Sequence, residues 1–351
     1  MTIDLTGGLP AERESVFAEA PDNPEMRDSV SMWIFDDRGE IALPRVGVEG
    51  YAAEWDAHIY QLNLVFPDGR VYRSRDRGTT LPALDANGRP RILGTGPLAF
   101  QCVEPFTTWT ATFKGDVVRT TQQDLIAGRQ DGPRVPLEFH VEATCAVPPW
   151  IQGSLFPDAG DKLASDIEKG LMGGPRYEQL VRVTGTVRVD GEEHTFTGSA
   201  LRIRRQGVRD LDGFWGHCWQ SGLFPSGRGF GYITYPPRPD GKPTFNEGFL
   251  YTGDGPLIPA RVVEAPWLRR LEPKGEDASV VFESKELGIT RIEGETLLAT
   301  HDTVVRPEMP NFPVLFQGAV RYRWDGEETI GMLERSTPRD QIEWPEGVPV
   351  T

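Results

Sequence analysis

The chain has 351 residues and a formal net charge of −15 at pH 7, with 37 lysines and arginines against 52 aspartates and glutamates. A surface this acidic repels phosphate backbones and anionic lipid headgroups, so the composition argues against nucleic acids and membrane surfaces as partners. The apolar content of 38% supports packed cores, and 39 glycines with 30 prolines favour many short strands and turns over a helical fold.

The N-terminal segment has neither the basic start nor the apolar core of a signal peptide. No apolar run approaches the roughly 20 residues that a membrane helix requires. The three cysteines, Cys102, Cys145 and Cys218, are far apart and odd in number, which is typical of reduced thiols rather than of a disulfide framework. We therefore expect a soluble, cytoplasmic protein without membrane insertion.

Turn signals separate strand-like segments along the whole chain. Asp-Gly and related pairs tolerate the positive φ angles of tight hairpins, and they indicate a hairpin when they stand between β-rich segments. In segment 179–189, Arg182 and Thr184 fall on one face while Val181 and Val183 fall on the other, which predicts antiparallel sheet with one packed face. The predicted turns are Asp36-Asp37-Arg38-Gly39, Pro67-Asp68-Gly69, Lys114-Gly115, Asp190-Gly191, Asp240-Gly241 and Asp325-Gly326.

One segment, at about 158–172, has the pattern of a helix. Its apolar residues recur at i, i+4 and i+8, and a glycine and a proline follow that would end it. A single helix near the midpoint of a β-rich chain is expected to connect two halves. We therefore predict an N-terminal β domain at 1–173, which includes this connector, and a C-terminal β domain at 174–351. Each has about the length of one eight- to ten-stranded barrel or sandwich.

Several familiar sites have no support in the sequence. There is no GxxxxGK[ST] loop, no HExxH pair and no GxSxG elbow, and the five histidines are never two or four positions apart. The sequence therefore predicts no metal site and no cofactor.

The segment 213–232 places one histidine between two tryptophans. His217 can exchange a proton near neutral pH without a large pKa shift. The two-residue spacing would put Trp215, His217 and Trp219 on one face of a regular strand, with Cys218 on the other. Indole faces can stabilise a developing carbocation. The pattern predicts an apolar cavity with His217 as its proton-transfer residue, although a buried histidine held by a backbone carbonyl would have the same pattern.

Segments 28–35, 177–198 and 207–220 resemble the two-domain lipocalin-like superfamily that includes hydroxyneurosporene synthase (a carotenoid 1,2-hydratase), tocopherol cyclase-like proteins and Diels–Alderases. Members often have a D-H-x-W-G element in the second half, which His217 and Trp219 match while Gly216 and Gln220 depart from it. They also tend to have an E-S-x-x-[FY] strand near the start, where this chain has DSVSMWIF. The resemblance implies an all-β chain of two lipocalin-like antiparallel β-barrel or sandwich domains joined by a short helical connector.

The acid that partners His217 stays open, because Gly216 stands where the family acid would be. Asp212, Asp210 and Glu178 are the nearest candidates in the sequence. Glu178 could also act as a general acid if burial raised its pKa. The residues predicted to contact the substrate are Trp215, Trp219, Tyr177, Trp33 and Gln220.

Two functions follow from this interpretation. The first is a cofactor-independent lyase, or isomerase or cyclase, that acts by proton-driven chemistry on a bulky hydrophobic small molecule such as a terpenoid, steroid or polycyclic aromatic. The alternative is a non-catalytic carrier of a hydrophobic ligand. An enzyme should hold His217 against a carboxylate that faces a cavity, whereas a carrier would leave the imidazole capped by backbone. A carbohydrate-related or structural β-protein would instead carry its aromatic residues on an exposed face.

Overall fold

The computed structural model describes residues 3–165, 176–211, 213–238, 240–305 and 310–348. Within these ranges the chain forms nineteen strands, two α-helices and three 3-10 helices at Ala11–Glu14, Ala52–Glu54 and Arg339–Gln341. The helices are α1 (Gln122–Ile126) and α2 (Pro157–Ser165). The strands are β1 (Met26–Asp36), β2 (Ala42–Tyr51), β3 (Ala57–Val65), β4 (Arg70–Thr79), β5 (Ile92–Thr95), β6 (Leu98–Glu104), β7 (Thr108–Thr121), β8 (Arg134–Cys145), β9 (Trp150–Ile151), β10 (Arg176–Val189), β11 (Glu192–Val208), β12 (His217–Leu223), β13 (Gly229–Thr234), β14 (Asn246–Tyr251), β15 (Ile258–Glu264), β16 (Val280–Ser284), β17 (Gly288–Asp302), β18 (Val314–Trp324) and β19 (Glu327–Thr337).

The first sheet is antiparallel and has the strand order β4-β3-β2-β1-β11-β10-β8-β7-β6-β5, with β9 paired to β10. A further pairing joins β4 to the end of β7, from Arg70 opposite Thr121 to Arg73 opposite Val118. This pairing closes a path of eight strands around one hydrophobic core, in which Trp109 and Phe100 are fully buried.

The second sheet is a closed antiparallel barrel of strands β12 to β19 in sequence order. The first and last strands meet, so that His217 lies opposite Ser336 and Trp219 lies opposite Glu334. Aromatic side chains fill the barrel interior, and Phe230 packs edge-on against Tyr322 with ring centroids 4.9 Å apart.

A third core lies between the two sheets. Leu180 and Trp33 from the first sheet pack with Trp219 and Met332 from the barrel. Fully burying an apolar side chain of this size contributes roughly 1.5–3 kcal/mol, so the contact holds the two sheets together. It also positions the candidate site, which lies in the same layer.

The fold class predicted from the sequence is confirmed: the described chain is nearly all β, with a closed barrel and a second sheet. The prediction of a turn at Lys114-Gly115 is wrong, because β7 continues through both residues. Gly115 serves close packing instead, since a Cβ there would lie 2.9 Å from the Cβ of Pro97. All three cysteines are buried and free, as expected.

The change from one sheet to the other occurs later than the predicted division at residue 173. Residue 173 and the second half of the predicted connector lie outside the described residues; the helix is described over Pro157–Ser165. The strands on either side, β8 and β10, pair within the first sheet, with Val181 opposite Cys145. The helical segment therefore interrupts one sheet, and the chain passes to the barrel between Val208 and His217. None of the described helices is long and apolar enough to cross a membrane.

Candidate active site

A cavity of about 200 Å³ lies between the first sheet and the barrel. Strands β1, β2, β3 and β11 form one wall, and β12, β18 and β19 form much of the other. The cavity is not the apolar one that the sequence predicted, because charged side chains make up a large part of its lining. These are Arg27, Arg45, Arg75, Arg176, Arg205, Arg209, Glu49, Asp302 and Glu334.

His217 lies on the cavity wall and contacts two side chains of β19. Its Nε2 is 3.2 Å from Oε1 of Glu334, and its Nδ1 is 2.7 Å from Oγ of Ser336. The pairing of β12 with β19 produces this geometry, because residues 334 and 336 point to the same face of their strand. The imidazole is 5% exposed and is therefore held in one orientation.

Glu334 is a buried carboxylate with several donors. Its Oε2 accepts hydrogen bonds from the indole of Trp33 at 3.1 Å and from the amide of Gln317 at 2.6 Å. Burial alone would raise the pKa of Glu334, but the hydrogen bond and charge of His217, with the charge of Arg45, lower this pKa to about 2. Glu334 is thus ionised at neutral pH and can stabilise a protonated His217.

A second buried carboxylate, Glu178, lies behind the wall formed by Trp219. It accepts hydrogen bonds from Trp219 Nε1 at 3.0 Å, Arg176 Nη2 at 2.5 Å and Gln152 Nε2 at 2.7 Å. Burial raises the pKa of Glu178 although the charge of Arg176 opposes the effect. No hydrogen bond or ion pair joins Glu178 to His217 among the described residues, and the carboxylate in contact with the imidazole is that of Glu334.

Two of the three predicted tryptophans line the cavity and the third does not. Trp33 and Trp219 both face it, and their rings pack edge-on with centroids 4.7 Å apart. Trp215 lies outside the lining, where its Nε1 donates to the Pro236 carbonyl at 3.1 Å. The reason is that β12 begins at His217, after Gly216 turns the chain with a φ of +116°, so the period of two does not extend to residue 215.

Tyr177 and Gln220 also lie away from the cavity, contrary to the prediction. The hydroxyl of Tyr177 contacts Glu14 and the backbone carbonyl of Arg13 inside the first sheet. Gln220 points into the barrel interior, as Cys218 does. Residues 218 and 220 lie on the opposite face of β12 from His217 and Trp219, because side chains alternate along a strand. Of the other two candidate acids, Asp212 lies outside the described residues, and Asp210 lies in the segment between β11 and β12.

The residues that sequence reasoning missed are charged or polar positions within buried strands. Glu334 and Ser336 lie in β19, where every residue from Thr329 to Thr337 is buried. Arg205 follows two further arginines in a buried part of β11. Ionisable residues in strands that are otherwise apolar were the available signal, since such groups are rarely fully buried without a partner. Within the described ranges, no group of three or more His, Cys, Asp or Glu side chains is placed to hold a metal ion.

The arrangement of the two sheets is shared with solved structures. An AttH-like protein from Nitrosomonas europaea superposes with a TM-score of 0.54 at 14% identity, over 92% of this chain and 98% of that chain. CghA solved with Sch210972 superposes with a TM-score of 0.53 at 12% identity, over 93% of this chain and 95% of that chain. At these identities the likeness establishes the fold, which is the one that the resemblance to two-domain lipocalin-like proteins implied.

A family model described as a domain of unknown function, DUF7064, matches residues 13–339. The chain belongs to this family. A comparison with curated proteins finds no match by sequence.

Proposed function

We propose that the protein is a cofactor-independent enzyme that moves a proton to or from a small-molecule substrate, with His217 as the proton-transfer residue and Glu334 as its partner. The observation that carries the proposal is the 3.2 Å contact between His217 Nε2 and Glu334 Oε1, because both residues line the cavity. A histidine oriented by a buried carboxylate is a common device of general acid–base catalysis. Capping by a backbone carbonyl, which a carrier would favour, is absent from the contacts of this imidazole within the described chain.

The proton exchange belongs at Nε2. The Nδ1 atom is held at 2.7 Å by Ser336, whereas the contact of Nε2 with Glu334 is longer and lies at the cavity wall. A substrate group that approaches the imidazole competes with Glu334 for this nitrogen. When His217 takes a proton, the nearby carboxylate stabilises the imidazolium that forms. Proton-driven hydration, dehydration, isomerisation and cyclisation each include such a step, and they are the reaction classes of the proposal.

A hydrolase with Ser336 as nucleophile fits the structure less well. The contacts of Ser336, His217 and Glu334 resemble a catalytic triad, and triads are recognised by geometry. Ser336 is fully buried, however, and is not part of the cavity lining. Its hydroxyl therefore positions the imidazole and does not face a substrate.

The second candidate is a carrier that binds the same class of small molecule without chemistry. It is favoured by one observation: both ring nitrogens of His217 already have protein partners. The crystal structure of CghA with Sch210972 holds a small molecule on this fold, which supports a small-molecule ligand under either proposal.

The two proposals differ in what happens to the ligand. Purified protein is incubated with a small-molecule extract of the native host, and mass spectrometry compares wild type, His217→Ala and His140→Ala. His140 is exposed on β8 and serves as the matched control. We expect products that form with wild type and with His140→Ala but not with His217→Ala. Ligands that are retained unchanged by all three proteins would contradict the enzyme and support the carrier.

A further inference from the structure

The charge of the cavity contrasts with the charge of the chain. Among the residues that the structure describes, six arginines line it against three carboxylates, although the whole chain carries a formal net charge of −15. All six arginines come from the first sheet or the segment that follows β11, whereas the His217–Glu334 pair comes from the barrel. An excess of buried like charge is costly unless a counter-ion is present. The lining therefore indicates that a negative group binds here.

Two of the six arginines have their charge satisfied by a neighbouring carboxylate. Arg27 Nη1 lies 3.3 Å from Glu49 Oε1, and Arg176 Nη2 lies 2.5 Å from Glu178 Oε1. The carboxylates of Glu49 and Glu178 are therefore each paired with one of these arginines. Arg45 and Arg205 take part in neither of these two pairs.

Arg205 is the clearest case of an unpartnered cation. Its side chain lines the cavity, the residue is only 6% exposed, and its Nε is buried without a partner. Among the described residues no side-chain hydrogen bond or ion pair is made by its guanidinium. Burial lowers the pKa of Arg205, and the charges of Arg209 and Arg176 add to the effect.

Arg45 supplies a second guanidinium on the same wall. It lies over the ring of Trp33 with its Cζ 4.4 Å from the centroid, and its buried Nε has no partner either. Burial lowers the pKa of Arg45, while the charges of Glu334 and Glu49 oppose that effect. Since Trp33 also donates to Glu334, Arg45 lies directly beside the proton-transfer pair.

We propose that Arg45 and Arg205 bind an oxyanion of the ligand, a carboxylate or a phosphate, and hold it beside His217. The binding of an anion does not depend on the proposed function. Only the statement that the bound acid is the substrate rests on that function. The planar guanidinium groups match the two oxygens of such a group. Trp33, Trp219 and Phe214 line the same cavity and would pack against the apolar part of the molecule.

The test compares a small acid with its neutral analogue. Isothermal titration measures the affinity of the full-length protein for benzoate, phenyl phosphate and benzamide. We expect one of the two anions to bind at least about ten-fold more tightly than benzamide, because hydrogen bonds to charged groups contribute more than neutral ones. The preferred anion then distinguishes a carboxylate from a phosphate as the group recognised.

Substitutions locate the binding. Arg205→Gln and Arg45→Gln should each weaken binding of the preferred anion by about ten-fold or more. Arg188→Gln, at an exposed arginine of β10, should leave it unchanged. Arg205→Lys keeps the positive charge but lacks the planar guanidinium group, so we expect a loss of anion affinity smaller than that of Arg205→Gln. Without ligand, Arg205→Gln should raise the Tm by about 2 °C or more, because it removes an uncompensated buried charge.

The experiments can refute the anion-binding inference and the proposed enzyme function separately. A protein that binds benzoate or phenyl phosphate through Arg205 and Arg45 but performs no chemistry would keep this inference and lose the enzyme. The inference is overturned if benzamide binds as tightly as both anions, if neither anion binds, or if Arg205→Gln and Arg45→Gln retain full affinity.

Discussion

Replacing Glu334 by glutamine tests the electrostatics of the candidate site with almost no change of shape. The carboxylate accepts hydrogen bonds from Trp33 and Gln317 and contacts His217. Its pKa lies at about 2 against an ordinary value of 4.5. At about 1.4 kcal/mol for each tenfold change in proton affinity, ionised Glu334 stabilises the folded state by about 3 kcal/mol. Glutamine cannot ionise, so the variant lacks this pH-dependent contribution.

The sign of the pH dependence follows from the lowered pKa. The stabilisation is fully present above about pH 4.5 and is lost as the pH falls towards 2, because the unfolded chain then binds a proton that the folded state does not. Between pH 7 and pH 3, the difference in the free energy of unfolding between the wild type and Glu334→Gln should fall by about 2 kcal/mol.

The assay is urea unfolding of both proteins at pH 7, 5, 4 and 3, followed by tryptophan fluorescence. Only the difference between the two proteins is used, since the other carboxylates titrate equally in both. Glu138→Gln is the control, because the Glu138 side chain is half-exposed and its ion pair with Lys114 is a surface pair of small value. A difference between wild type and Glu334→Gln that stays constant from pH 7 to pH 3 would refute the assignment of Glu334 as an ionised buried partner of His217.

Two further substitutions test how the site is built. Gly216→Ala should destabilise the protein by about 2 kcal/mol or more, because the backbone there has a φ of +116° and a Cβ would lie 2.5 Å from the carbonyl oxygen of Ser336; urea unfolding measures the loss, and a change below 0.5 kcal/mol contradicts the reasoning. Trp219→Phe removes the indole donor to Glu178 and should cost about 1–3 kcal/mol. That loss should be larger at pH 8 than at pH 5, because a protonated Glu178 tolerates the missing donor better, and an equal loss at both pH values would count against an ionised Glu178.

Local sequence determined the strands and most of the turns. Asp190-Gly191 and Asp325-Gly326 both adopt positive φ at their two residues, and each joins two neighbouring strands of a sheet. Such turns depend on the residues within them, so they could be predicted without knowledge of distant contacts. Lys114-Gly115 was mispredicted because its glycine accommodates Pro97, which approaches from the turn between β5 and β6.

The face shared by His217 and Trp219 was likewise determined by the sequence, since a strand alternates its side chains whatever surrounds it. The partner of His217 was decided only by the tertiary structure. Glu334 is 117 residues away and reaches the imidazole because the barrel closes its last strand onto its first. The cationic character of the cavity also depends on tertiary structure: its arginines lie on several strands of the first sheet and in the segment after β11, and folding brings these distant positions together.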